Sequence, residues 1–215
     1  MITATFQSAP GTILIAPVRG LASEVPRVLT VLEEFAPARV GLGLSRDEMR
    51  SLRDYFVLSD AEPLVPLTSN ETSEVRGLVR FGEVRVPNPS FVEVLRWSAL
   101  RSVPTEPLDP DDERTAELFA EHIGYLELVR RTVRERRVAR SPPAPSSADE
   151  YALVWDRSIA SGRGSRGYAE ARDRHLVDRF RALAVDRTRL AVVVDRERFD
   201  SVRTLFTEGP PSTIA

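Results

Sequence analysis

The sequence predicts an α/β fold: an open, mostly parallel sheet of about four strands, with helices on both faces and a helical insertion. Three observations lead there. The first is Thr12-Ile13-Leu14-Ile15-Ala16-Pro17-Val18-Arg19-Gly20, a β-rich apolar run ending in a Pro/Gly turn. An amphipathic segment from Ser23 to Phe35 follows at once, with Val25, Val28, Leu29, Leu32 and Phe35 on one helical face, so the pair reads as a βα unit. The second is the repetition of that pattern, with Arg39–Leu44 as a buried strand and Ser45 capping a helix that carries Met49, Leu52, Tyr55 and Phe56. The third is Leu190–Val194, an unbroken apolar run. Such runs mark strands covered on both faces. Ligands of open α/β sheets collect at the carboxyl ends of the strands, which puts Arg19 at the mouth of any site.

The remaining elements follow from punctuation and periodicity. Residues 1–10 read as a lead-in or an edge strand. Ser23 is the cap expected for the first helix, with Pro26 in its first turn, and Pro37 closes it. Ser59–Asn70 is loop-like, and Glu71–Phe81 fits either a helix or, with Val84 and Val86, one arm of a hairpin. Asn88 then Pro89 starts a helix to Arg101, with Phe91, Val94, Leu95 and Ala99 together and Trp97 to one side. Thr105–Leu108 is a third strand, and Pro107 puts it at an edge. Asp109-Pro110-Asp111-Asp112 leads into one long helix striped by Leu118, Phe119, Ile123, Leu126, Val129 and Val133. That helix ends in Arg130, Arg131, Arg134, Arg136, Arg137 and Arg140, so its charges complement its dipole at both ends.

Ser141–Ser147, rich in Pro and Ser, is a flexible loop, and a helix from Ala148 to Ser161 carries Tyr151, Val154 and Trp155. Gly162–Gly167 is a connector, since a phosphate-binding loop would follow a strand. A helix from Tyr168 to Val185 turns Leu176, Val177, Phe180 and Leu183 inward. After the last strand, a helix with Val202, Leu205 and Phe206 ends in a loose tail, 209–215. The whole reads as one domain, 1–215, with the helical insertion spanning about 88–188.

Composition narrows the function classes. At 215 residues, with 42% hydrophobic and 29% charged residues, the chain suits a globular domain with its own core. It has no cysteine, hence no disulfide, thiolate zinc site or cysteine nucleophile. Apolar runs are strand-length, the start lacks a signal-peptide pattern, and a cytoplasmic address without a membrane span is expected. A net charge of −2 gives no overall footprint for nucleic acid. All 30 basic residues are arginine; a GC-rich genome accounts for that, or selection for planar guanidinium contacts.

The order of elements and the strand ends resemble the TraB/PrgY family, related to Tiki-type proteases and more distantly to the erythromycin-esterase and ChaN-like group. Members begin with a strand ending Gly-Thr-x-His and a second ending Glu-Leu-Asp. A late helix opens Glu-Arg-Asp, and a final strand ends Gly-x-Gly-His. Here Ile13–Ser23 overlies the first motif, with Ala16 at the Gly and Arg19 at the His. Gly43-Leu44-Ser45 overlies the second. Ala171-Arg172-Asp173 keeps Arg-Asp without the Glu, and Val192–Arg198 overlies the last with Arg198 at the His. The resemblance implies a degenerate member: both metal-binding imidazoles are guanidinium groups, which have no lone pair to give a cation. No metal and no cofactor are expected.

His122 and His175, the only histidines, lie on helices and show no paired spacing. His122 borders an apolar stripe, whereas His175 follows Arg172-Asp173 closely enough to serve the cleft. Near the strand ends lie the carboxylates Asp109, Asp111, Asp112, Asp173, Asp195 and Glu197, with the arginines Arg19, Arg172, Arg196 and Arg198. In a structural reading, Arg19 and Arg198 neutralise Asp173 or Asp195. In a functional one, the four arginines bind an anionic small molecule or a peptide carboxylate. Three classes therefore stand: a non-catalytic binding module, a hydrolase using Asp173, Asp195 and His175 with water, and an assembly protein forming a homo-oligomer. Trp97, Trp155 and the arginine-rich helix end are the surfaces expected for such an interface.

Overall fold

A computed structural model describes residues 3–8, 11–57, 69–184 and 188–209. Its elements are β1 (Ala4–Ser8), β2 (Gly11–Val18), α1 (Val25–Phe35), β3 (Arg39–Leu42), α2 (Arg46–Val57), α3 (Ser69–Leu78), α4 (Pro89–Leu100) and β4 (Thr105–Pro107). Then come α5 (Asp112–His122), α6 (Tyr125–Arg140), α7 (Ala148–Ile159), α8 (Arg163–Leu183), β5 (Thr188–Asp195) and α9 (Arg196–Glu208). Most of the loop expected at Ser59–Asn70, and residues 210–215 of the expected tail, lie outside the described residues.

The five strands run in the order β1-β2-β5-β3-β4. All neighbours are parallel except β1, which pairs antiparallel with β2 at the edge. This is the predicted mostly parallel sheet, with the lead-in supplying a fifth strand. The most apolar strand, β5, takes the centre between β2 and β3, where Leu190–Val194 are buried. Side chains alternate across the pleat. Leu14, Val18, Val40, Leu42, Ala191 and Val193 meet α1, α2 and α4 on one face. Ile13, Ile15, Leu190, Val192 and Val194 meet α8 and α9 on the other. A satellite core of Leu78, Tyr151, Trp155 and Ile159 joins α3 to α7.

Several boundaries obey the local chemistry. Ser45 Oγ accepts from Glu48 N at 3.2 Å while Glu48 Oε2 accepts from Ser45 N at 2.7 Å, a reciprocal capping box. Asn88 Oδ1 accepts from Ser90 N at 3.0 Å ahead of Pro89. Ser23, however, is no cap. No side chain caps α1; the Glu24 carboxylate instead ties down the turn before it, accepting from Arg19 N at 2.8 Å and Leu21 N at 3.2 Å. Glu71–Phe81 is helical, as α3 and a 3-10 turn, with Val84 making only an isolated bridge to Leu21.

Three expectations are corrected. The single long helix after Asp111 is two, broken at Ile123-Gly124, so Leu126 and Val133 do not continue the inward stripe of Leu118 and Ile123. The Gly162–Gly167 connector is instead the start of α8; its glycines let the end of α5 approach, since a Cβ on Gly167 would stand 2.8 Å from His122 Nδ1. Trp97 is buried, with Nε1 donating to Glu33 at 2.8 Å and Arg101 over its ring, while Ala99 is exposed. Trp155 is buried too, so neither tryptophan offers an interface.

The satellite core is tight enough to invert a propensity rule. Gly77, inside α3, faces the Tyr151 ring, and a Cβ there would collide with the phenol oxygen. Gly77→Ala should lower stability by about 1–3 kcal/mol, although alanine is the better helix former. Urea denaturation of the variant checks this, and equal or greater stability would contradict the packing.

Candidate functional site at the carboxyl ends of the strands

The site begins with register. Val18 pairs with Asp195 across β2 and β5, so the two residues that leave the sheet next, Arg19 and Arg196, emerge side by side. A guanidinium stays charged at any accessible pH and must be paired when buried. Asp149, in the first turn of α7, meets both. Arg19 Nε donates to Asp149 Oδ1 at 2.6 Å and Arg196 Nε donates to the same oxygen at 2.9 Å. Arg19 also pairs with Glu24, and Arg196 Nη1 with Asp200 Oδ2 at 3.0 Å. Burial pushes the Asp149 carboxyl up, but the hydrogen bonds and charges of Arg19 and Arg196 outweigh it and hold the group below its ordinary range.

A second cluster lies where α8, α9 and the end of β4 converge. Asp109, whose side chain is only 2% exposed, pairs with Arg172 and, at 2.6 Å, with Arg198. Arg198 Nε donates to Asp173 Oδ1 at 2.7 Å. Burial opposes the charge on Arg198, yet Asp109 and Asp173 overcome it and raise its pKa. The expected neutralisation of Asp173 by Arg198 is therefore present, whereas Arg19 pairs with Glu24 and Asp149 rather than with Asp173 or Asp195.

Carboxylates outnumber the arginines here, and the surplus loses its protons at higher pH than ordinary carboxylates do. Asp195 is pushed up to about 6, chiefly by burial, with Arg198 opposing and Asp109 and Glu48 adding to the rise. Burial and then Asp195 drive Glu197 well above its ordinary range. Burial, Asp195, Glu71 and Asp156 lift Glu74 to about 7. Asp156 is raised by burial and then by Asp173.

A cleft of about 650 Å³ opens beside the second cluster. Arg172, Asp173 and Arg198 line it together with Asp156, Glu197 and Tyr168. Thus the structure brings together four of the residues expected near the strand ends, Arg172, Asp173, Glu197 and Arg198. Arg19, Arg196, Asp195 and His175 are not in its wall. His175, half-buried on α8, has its pKa lowered by burial and then by Arg179, against the pull of Asp109, which leaves the ring neutral at pH 7. His122 lines a separate hollow with Glu121, Glu127 and Arg163. Among the described residues, no three His, Asp or Glu side chains come together in a set that could hold a metal ion.

Two buried donors in the cleft wall stand out. Arg172 Nε and Arg198 Nη2 have no hydrogen-bond partner among the described residues. Sequence reasoning missed Asp149, Glu24 and Glu74. Glu24 carried a local signal, since a carboxylate a few residues after a strand end can accept from the turn's own amides. Asp149 carried none, being 130 residues from Arg19. Compared with known proteins, the chain matches no family model and no curated relative. Among the described residues no helix is long and apolar enough to cross a membrane.

The proton held by Asp195 sets a pH signature. Its folded pKa lies above the ordinary value, so its contribution to stability is complete below about pH 4 and is lost as pH rises through about 6. Asp195→Asn should therefore raise stability near pH 7.5 by on the order of 1 kcal/mol and flatten part of the decline between pH 4 and 7. Urea midpoints across that range test it; an unchanged profile would contradict the assignment.

Proposed function

We propose that the chain is a non-catalytic binding protein, a degenerate relative of TraB/PrgY proteins, whose cleft takes an anionic small molecule or a peptide carboxylate. The observation that carries this reading is the pair of unpartnered guanidinium N–H groups, Arg172 Nε and Arg198 Nη2, on residues that line one cleft. A buried donor without an acceptor costs about 1–3 kcal/mol, and a carboxylate or phosphate oxygen between the two relieves both. Glu197, whose carboxyl burial drives well above its ordinary range, opposes such an anion less than an ordinary carboxylate would. The resemblance supports the same reading at Arg198 alone, since Arg19, the other guanidinium where the family has an imidazole, is not in the cleft wall. A cytoplasmic address and the absence of a nucleic-acid partner belong to the proposal and rest on composition alone.

A second reading, hydrolysis by Asp173 and Asp195 through water, is favoured by one observation, the proton that Asp195 keeps up to about 6. It requires Asp195 to reach a substrate, although Asp195 is not in the cleft wall. In that reading Asp173→Asn abolishes turnover of ester or peptide substrates.

Thermal shift with inorganic phosphate and with succinate separates the readings. A ligand at a hundredfold its Kd stabilises the folded chain by about 2.7 kcal/mol, so the binding reading predicts a rise in Tm with either anion. Arg172→Gln, which spares the more deeply buried Arg198, should cut that rise at least by half. No shift with either anion, or a shift indifferent to Arg172→Gln, would overturn the reading.

A further inference from the structure

The helix α6 is amphipathic the wrong way round. Its inward side is polar: Glu127 Oε1 accepts from Arg134 Nη2 at 2.7 Å and from Ser165 Oγ at 2.9 Å, and Arg134 Nε donates to the Ile159 carbonyl at 3.2 Å. Its outward side is apolar, with Tyr125 79%, Leu126 67%, Val129 45% and Val133 61% exposed. No residue of this 16-residue helix is buried. Residues at this spacing form one stripe, and a stripe of this kind normally faces a core rather than water.

We infer that this face is a homodimer interface, in which α6 packs antiparallel against α6 of a second copy about a two-fold axis near Val129. Charge complementarity selects that occupant. The C-terminal half of α6 carries Arg136, Arg137 and Arg140, all exposed and without an ion pair among the described residues. Immediately before α6, the exposed acids Glu113, Glu117 and Glu121 repeat every four residues along α5. Two of them pair only with Arg114 of their own helix among the described residues. Acid, apolar and basic stretches thus follow one another along the chain. Such an order is self-complementary only when the second copy runs the other way, setting Arg136 and Arg137 toward the partner's α5. A parallel pairing would stack arginine on arginine. An anionic bilayer would meet the same arginines but be repelled by the α5 acids. The helix is about 24 Å long, and a contact of that extent suits a weak, micromolar dimer.

Sedimentation of the full chain over a concentration series tests the inference, with circular dichroism confirming that each variant is folded. The mass should rise from monomer toward dimer with concentration, and Val129→Asp should abolish the rise. Arg136→Glu/Arg137→Glu in one chain, or Glu117→Arg/Glu121→Arg in another, should each weaken association at least tenfold. Mixing those two variants should restore it, because the reversed charges then match across both ends. A chain that stays monomeric at every concentration, a dimer indifferent to Val129→Asp, or a mixture that fails to associate would overturn it. So would a monomer that co-sediments with phosphatidylcholine–phosphatidylserine vesicles through α6.

Discussion

One constraint organises this molecule: two permanently charged arginines leave adjacent parallel strands at the same edge of the sheet. The pairing of Val18 with Asp195 makes that unavoidable for Arg19 and Arg196. Because the guanidinium cannot shed its charge, carboxylates must be brought to the edge from elsewhere in the chain. Asp149 is brought by α7, and with it comes the satellite core of α3 and α7 that roofs the strand ends. At the neighbouring edge Arg198 imposes the same demand, and Asp109 from the end of β4 and Asp173 from α8 meet it. The helical roof and the ion pairs are thus one structure.

The supply of carboxylates exceeds the demand. Once Asp149, Asp109 and Asp173 are engaged, Asp195, Glu197 and Glu74 lie near other acids without an ion pair among the described residues, and burial raises the pH at which they lose their protons. Perturbed acids concentrate at functional sites but also arise in structural networks. Here the distinction falls on donors rather than acids. Each of the four arginines spends guanidinium N–H groups on internal carboxylates, whereas the buried Arg172 Nε and Arg198 Nη2 have no partner among the described residues. An anionic ligand would complete the network; a cationic one would leave those donors unanswered.

Much of the fold could be read from local pattern because its strands are apolar throughout and its helices carry their own caps, as Ser45 and Asn88 do. Adjacency was harder to read. Nothing local tells β5 to enter between β2 and β3, since that depends on which strand most needs cover on both faces. The stripe from Leu118 to Val133 misled for a physical reason: periodicity reports a helical face, not what the face meets, and Gly124 turned the second half outward. The arginines of the site were legible because strand ends are. Their acceptors were mostly not, because Asp149 lies 130 residues from Arg19 and 47 from Arg196 along the chain.

The central claim is that the chain's own carboxylates hold the strand-end arginines and leave two buried N–H groups, on residues that line the cleft, for an anion to meet. A crystal structure of the protein soaked in phosphate tests this most directly. The account predicts an ordered phosphate oxygen within hydrogen-bond distance of both Arg172 Nε and Arg198 Nη2, with Asp109 and Asp173 still paired to Arg198. A structure in which Arg172 and Arg198 turn every donor onto those aspartates, with the cleft free of phosphate, would contradict it.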